Sequence, residues 1–169
     1  MSEIASAVER ARAYLTEHPD EARYRDALAR ARLSTGLRVE VDGPGGERLT
    51  TDMPKGIGGT ATMPSPGWYF RAAAAACVAS LLGIRAAMTG IYLAPNSIEV
   101  TVDTESDDRG ILGLDDSIPA GALSIRVVVS ASGGAPGRQQ LEQLVRWAVD
   151  HCPVTDTARR EVPIEVRLG

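Results

Sequence analysis

Cysteine, histidine and phenylalanine are scarce in this sequence. The 169 residues include two cysteines, two histidines and one phenylalanine, and aromatic residues make up 4% of the chain. Two cysteines are too few for the disulfide framework of a small secreted domain. Because the sequence has no C-x-x-C motif and one histidine directly precedes a cysteine, its few ligands are poorly placed for a tetrahedral zinc site. We therefore expect neither a metal nor another cofactor.

An excess of positive charge and a long apolar run are also missing. The net charge of −4 and the isoelectric point of about 5.2 disfavour a nucleic-acid partner, which requires clustered Lys and Arg. No apolar run reaches about 18 residues, so the sequence predicts no contact with a membrane. The charged N-terminus lacks the apolar centre of a signal peptide, which makes the cytoplasm the expected location.

The hydrophobic pattern alternates between the periods of helices and of strands, which predicts an α+β fold with antiparallel sheet packed on one or two central helices. The predicted segments are two helices in residues 2–31 divided near Pro19, a hairpin in 37–52, a glycine-rich loop to 67, a helix in 66–89, strands in 97–106 and 122–130, helices in 137–152 and 154–160, and a final strand in 162–168.

The long helix at 66–89 is predicted to be buried on nearly every side. Ser65 is placed to cap it, Pro66 suits its first turn, and Gly90 suits its C-terminal cap. The other faces of the helix are rich in alanine, so we expect it to pack in a core or against a partner subunit. Its predicted apolar stripe comprises Phe70, Ala74, Cys77, Leu81, Ile84 and Met88.

The two cysteines have opposite local surroundings. If Pro153 begins a helix, Cys152 is its N-cap, where backbone N–H groups lower a thiol pKa and His151 could add a cation. Cys77 lies within an apolar stripe, which raises a thiol pKa unless a cation reaches it. From the local sequence alone, either cysteine is also compatible with inert core packing.

Several motifs taken together resemble the OsmC/Ohr family of thiol-dependent peroxidases. The resemblance covers roughly residues 37–168, which makes residues 1–31 a helical extension and residues 32–169 the OsmC-like domain. The motifs are Gly58–Gly59, Ser65–Pro66, the alanine run Ala72–Cys77, and Cys152–Pro153–Val154.

This resemblance implies an intertwined homodimer with its active sites at the subunit interface. It further implies that Cys77 attacks organic hydroperoxides as a thiolate and that Cys152 resolves the sulfenic acid into a disulfide, which a thiol or dithiol reductant reopens. The two cysteines should therefore lie close together. Such an enzyme would serve the response to oxidative stress. The activating arginine of the family comes from the first hairpin, where Arg38 and Arg48 are both candidates.

One position departs from the family pattern. The peroxidases usually carry an acid directly after the proline that opens the thiol helix, whereas this chain has Gly67 followed by Trp68. The acid orients the activating arginine, so its loss leaves a second function open. In that alternative the protein is a binding or redox-sensing member of the family, with an apolar small-ligand pocket at the dimer interface.

Overall fold

Five α-helices and five β-strands form in residues 2–169, the part of the chain that this computed structural model describes. The predicted α+β class is confirmed. The helices are α1 (Glu3–Glu17), α2 (Pro66–Met88), α3 (Asp108–Ile111), α4 (Arg138–Asp150) and α5 (Pro153–Arg159). The strands are β1 (Arg30–Leu33), β2 (Val39–Asp42), β3 (Arg48–Thr51), β4 (Ile98–Glu105) and β5 (Ser124–Ala131).

The chain divides into two compact units. Residues 10–70 form the hairpin unit, and the described residues before 10 together with 71–169 form the thiol unit, which contains both cysteines. Helix α2 is continuous; its residues 66–70 belong to the hairpin unit and the remainder to the thiol unit.

The hairpin unit contains a three-stranded antiparallel sheet in the order β1-β2-β3. The predicted hairpin is confirmed as β2 and β3, in a register that places Val39 opposite Thr51. The second helix predicted within residues 2–31 is wrong, because a 3₁₀ turn follows α1 and Arg30 already lies in β1. Pairing with β2 overrides helix propensity there, since both Arg30 and Arg32 form ion pairs with Asp42. The proposed domain boundary after residue 31 therefore falls within β1.

The thiol unit packs α2 and α4 against the antiparallel pair β4-β5. Residues of β4 alternate between half-buried and exposed, and Val100 lies opposite Val129. The inner side chains of this sheet cover a small core that α2, α4 and the start of α5 share. The fully buried members of the core are Val78, Leu82, Ala86, Leu144, Ala148 and Cys152.

The ends of α2 agree with the predicted caps, but its buried face does not agree with the predicted stripe. Ser65 Oγ accepts a hydrogen bond from the Trp68 N–H at 3.2 Å, and Gly90 adopts a φ of +70°. The face most buried is rotated by about one residue from the predicted one, because a helix apolar on nearly all sides leaves its orientation to tertiary packing. Its buried residues are Ala74, Val78, Leu82 and Ala86.

Helix α2 is also long and apolar enough to span a membrane by length and composition. The core helix of a soluble protein passes the same test, and four residues of α2 are buried against protein. One such helix is therefore weak support for a membrane span.

The strand predicted at 162–168 is wrong for the single chain. Residues 161–169 contain no regular secondary structure and belong to no sheet. A strand needs a neighbour for its backbone hydrogen bonds, and none pairs with this segment in the described chain. The apolar side chains that alternate along the segment, Val162, Ile164, Val166 and Leu168, are 44–98% exposed.

Candidate thiol site

The structure brings the two thiols together. Cys77, in the middle of α2, packs against the core that contains Cys152, at the start of α5; the two side chains are close enough to shift each other's pKa, and both are free thiols. This contact agrees with the proximity that the family resemblance predicts. Cys152 is 0% exposed, whereas Cys77 is only partly buried. A reagent entering from solvent therefore meets Cys77 first.

The break between α4 and α5 positions Cys152. His151 ends α4, and Pro153 begins α5, which leaves Cys152 as the N-cap residue in extended conformation. The buried Thr155 hydroxyl donates to the carbonyl oxygens of Val149 at 2.8 Å and of Cys152 at 3.2 Å. These bonds tie the two helices together and hold the sulfur toward α2.

The thiolate of Cys152 is favoured by its surroundings. Burial by itself raises the pKa of this thiol. Four neighbouring groups outweigh burial and lower the pKa below its ordinary value. They are the Thr155 backbone N–H, the Cys77 thiol, the Thr155 hydroxyl and the Val154 N–H. The sulfur makes no capping hydrogen bond of ordinary geometry, so the effect of the N–H groups is mainly electrostatic.

The thiolate of Cys77 is disfavoured. Burial raises the pKa of Cys77, and the hydrogen bond to Cys152 and the negative charge of the Cys152 thiolate raise it further. The Val154 N–H acts in the opposite direction but does not compensate.

His151 does not supply the cation that its sequence position suggests. Its ring stacks on Trp147 with centroids 4.2 Å apart, and Nδ1 lies 2.9 Å from the Trp147 carbonyl oxygen. The guanidinium of Arg85 lies over the same indole at 5.1 Å. The side chains of His151 and Arg85 are therefore both occupied with Trp147.

The two arginines predicted to activate Cys77 lie in the hairpin unit. Arg38 is half-buried at the turn before β2, and Arg48 is exposed in β3 opposite Asp42. Neither guanidinium forms an ion pair or a side-chain hydrogen bond with any residue in 2–169. Their role toward Cys77 remains a prediction.

Asp52 is a buried polar centre that the sequence analysis missed. This carboxylate, 2% exposed, accepts hydrogen bonds from the N–H groups of Met53 at 2.8 Å, Thr60 at 3.1 Å and Thr62 at 3.3 Å, and from both threonine hydroxyls. Gly59 is required within the same loop, because a Cβ there would overlap the Met53 carbonyl. The loop that the sequence analysis left unstructured is thus organised by one carboxylate.

Replacing Asp52 with asparagine should weaken the fold at neutral pH. The Thr60 hydroxyl bond, opposed by burial and reinforced by three N–H groups, lowers the Asp52 pKa from 3.8 to about 2. A carboxyl group whose pKa is lower in the folded than in the unfolded protein stabilises the fold at any pH above its unfolded pKa. This stabilisation is lost as the pH falls from about 4 to about 2. Thermal unfolding of wild type and variant should therefore differ near pH 7 and converge in acid.

The exposed Asp26 in the same unit provides the control. Asp26→Asn should leave the unfolding temperature unchanged at both pH values. Equal unfolding temperatures for Asp52→Asn and wild type at neutral pH would contradict the assigned role of Asp52.

Metal ligands do not converge anywhere in residues 2–169, where no three side chains of His, Cys, Asp or Glu form a potential metal site. The features that remain are two apposed thiols and their N–H donors.

The sequence profile of the OsmC-like protein family matches residues 59–167, which include both cysteines and all of α2, α4 and α5. The chain belongs to the OsmC-like family.

Solved structures agree with this assignment at the level of the fold. An organic hydroperoxide resistance protein OsmC from Legionella pneumophila has a TM-score of 0.62 and 21% identity, over 81% of this chain and 91% of that one. An OsmC-like protein from Mycoplasma pneumoniae has a TM-score of 0.66 and 16% identity, over 81% and 89%. OhrB of Bacillus subtilis has a TM-score of 0.57 and 22% identity, over 80% and 91%. No curated protein matches the chain.

Proposed function

We propose that this OsmC-like protein is a thiol-dependent peroxidase that reduces organic hydroperoxides, with Cys77 as the peroxidatic and Cys152 as the resolving cysteine. The observation that carries the proposal is the contact between a partly exposed and a fully buried thiol. Similar structures include proteins named for organic hydroperoxide resistance, which supports the same substrate class.

The reaction requires only the two thiols, the peroxide and a reductant. The Cys77 sulfur attacks the outer peroxide oxygen, the O–O bond breaks, and the alkoxide takes a proton to leave as an alcohol. The resulting Cys77 sulfenic acid then reacts with the Cys152 thiol, which forms the disulfide and releases water. A thiol or dithiol reductant restores both thiols by exchange, and such reductants prevail in the cytoplasm, where we place the reaction.

The functional unit in this proposal is a homodimer. Helix α2 leaves Ala73, Ala76 and Ala79 exposed, and small side chains allow close helix approach. The alternating apolar side chains of 162–168 are exposed as well. A second copy of the chain would bury both surfaces, and β4-β5 or β1-β2-β3 offers edges on which the C-terminal segment could form the strand that its sequence predicts.

Light scattering should therefore give about twice the monomer mass of 17.9 kDa at micromolar concentration. Deleting residues 161–169 should shift the protein toward the monomer, because the deletion removes four exposed apolar side chains. A stable monomer of the full chain at this concentration would contradict the dimer.

Steady-state consumption of cumene hydroperoxide with a dithiol reductant tests the peroxidase function. Wild type should turn over many equivalents, whereas a variant in which both cysteines are serine should consume none. Activity should be slower than in relatives with an acid at position 67, and Gly67→Glu should increase it if Arg38 or Arg48 activates the thiolate. Absence of turnover by wild type at every pH would reject the peroxidase.

A ligand-binding function is the second candidate. The hairpin unit has a mainly apolar, open groove of about 300 Å³, a volume at the lower end of the range of small-ligand sites. Its apolar lining includes Leu28, Val41 and Leu49, with Arg48 at the wall. Equal binding of an apolar fluorescent probe by wild type and Cys77→Ser, without peroxide turnover, would favour this function.

A further inference from the structure

A buried hydroxyl joins the ends of α4 and α5. Thr155 is 8% exposed in the first turn of α5, and its hydroxyl lies 2.8 Å from the Val149 carbonyl oxygen and 3.2 Å from that of Cys152. If α4 continued, the Val149 carbonyl would accept from the N–H of residue 153, but Pro153 has none. The Thr155 hydroxyl therefore replaces the donor that the chain loses where α4 ends.

The same hydroxyl helps to fix the backbone of Cys152. The Cys152 carbonyl also accepts from the Asp156 N–H at 2.8 Å, which is the first backbone hydrogen bond of α5. An ion pair between Arg159 and Asp150 spans the same corner, but these side chains are 54% and 52% exposed, so it contributes little. Because the sulfur of a cysteine turns about a single side-chain torsion, its direction follows from the backbone that the corner holds.

Disulfide formation depends closely on where the two sulfurs lie. A disulfide requires Cα atoms within about 7 Å and a narrow range of torsion angles. Cys77 packs against the core that contains Cys152, and Cys152 is 0% exposed. A fully buried thiol does not reach its partner by moving through solvent. The rate at which Cys152 meets an oxidised Cys77 should therefore follow the geometry of the corner between α4 and α5.

We propose that Thr155 is a positioning residue for the resolving step, because its hydroxyl holds the corner between α4 and α5 so that the Cys152 sulfur faces Cys77. This inference rests on the proposed peroxidase function and adds a residue to it. Thr155 acts through the backbone of Cys152 and exchanges neither protons nor electrons with the substrate.

Two reactions compete for the Cys77 sulfenic acid. In resolution, the Cys152 sulfur bonds to the Cys77 sulfur, the S–O bond breaks, and the thiol proton leaves with the hydroxyl as water. In overoxidation, a second hydroperoxide transfers an oxygen atom to the same sulfur, which gives a sulfinic acid and an alcohol. A misplaced Cys152 slows the first reaction alone, so the sulfinic acid should accumulate.

Thr155→Val tests the proposal, because it removes the hydroxyl and keeps the branched shape of the side chain. Without reductant, Cys77 should consume its first equivalent of cumene hydroperoxide at the wild-type rate. Disulfide formation, followed by acid quenching and peptide mass spectrometry, should be about tenfold or more slower, within the roughly hundredfold cost of misplacing reacting atoms by about 1 Å. The sulfinic fraction should rise in the same proportion. A general disturbance of the fold would slow both steps.

Two matched variants separate the hydroxyl from other effects. Thr155→Ser keeps the hydroxyl and should restore resolution to near the wild-type rate. Thr157→Val makes the valine substitution at an exposed position of α5 and should resolve like wild type. Thr155→Ala replaces the valine variant if circular dichroism shows that the latter is unfolded. If neither folds while Thr155→Ser does, the hydroxyl serves the fold and the proposal is overturned.

A second assay needs no peroxide. One equivalent of methyl methanethiosulfonate converts the Cys77 thiol to a methyl disulfide, and attack by Cys152 then forms the protein disulfide and releases methanethiol. The methyl disulfide should persist about tenfold or more longer in Thr155→Val than in wild type. Equal lifetimes in the two proteins, or a methyl disulfide that persists in wild type, would overturn the proposal. If wild type does not react with hydroperoxide, the peroxidase function falls and these lifetimes alone decide the role of Thr155.

Discussion

Replacing Cys77 with serine should abolish hydroperoxide reduction, with a loss of at least about a thousandfold in kcat/KM, as expected when a nucleophile is removed. A serine hydroxyl is a far weaker nucleophile than a thiol and has no sulfenic acid state to pass on to Cys152. The measurement is consumption of cumene hydroperoxide under saturating dithiol reductant.

Ala158→Ser introduces the same hydroxyl on α5, where the side chain is exposed and lies outside the alanines that we propose for the dimer interface. This control should keep wild-type activity, which separates loss of the thiol from a general effect of a helix hydroxyl. Substantial turnover by Cys77→Ser would assign the chemistry to another residue, and Cys152 would then be the first to test.

Replacing Leu82 with alanine should destabilise the folded state by about 2–5 kcal/mol, the range for truncating a buried leucine. Leu82 is 1% exposed and lies in the core that Val78, Leu144 and Cys152 share. The variant loses the burial of its removed atoms and leaves a cavity between α2 and α4. Urea unfolding at one fixed protein concentration measures the change, because dimer stability depends on concentration.

The matched control is Leu114→Ala, since Leu114 is 70% exposed in the connection between β4 and β5. Its effect should stay within about 0.5 kcal/mol, as is usual for surface positions. A change of less than about 1 kcal/mol for Leu82→Ala would mean that the core packs differently from the structure described above.

The limits of α2, the hairpin of β2 and β3, and the break between α4 and α5 could be read from the sequence. Each depends on local chemistry: Ser65 accepts from the first helical turn, Gly90 tolerates a positive φ, and Pro153 cannot continue α4. The family motifs also pointed to the two cysteines that meet in the structure.

The errors share a physical cause. Residues 20–31 have the composition of a helix, yet Arg30 pairs with β2 through Asp42, and only the folded chain supplies that partner. The 162–168 segment has the pattern of a strand, but the single chain offers it no neighbour. Asp52 organises its loop through hydrogen bonds from Thr60 and Thr62, and these residues reach the carboxylate only when the loop folds around it.

By itself, the sequence determined that the protein has two thiols, an alanine-rich helix to carry one and a proline-started helix to carry the other. Only the tertiary structure decided how the two thiols meet and how far each is buried. Packing buries Cys152 completely and leaves Cys77 partly exposed, and the groups around the two sulfurs lower the pKa of Cys152 and raise that of Cys77. Burial and hydrogen bonding of this kind arise from packing, which local sequence patterns do not specify.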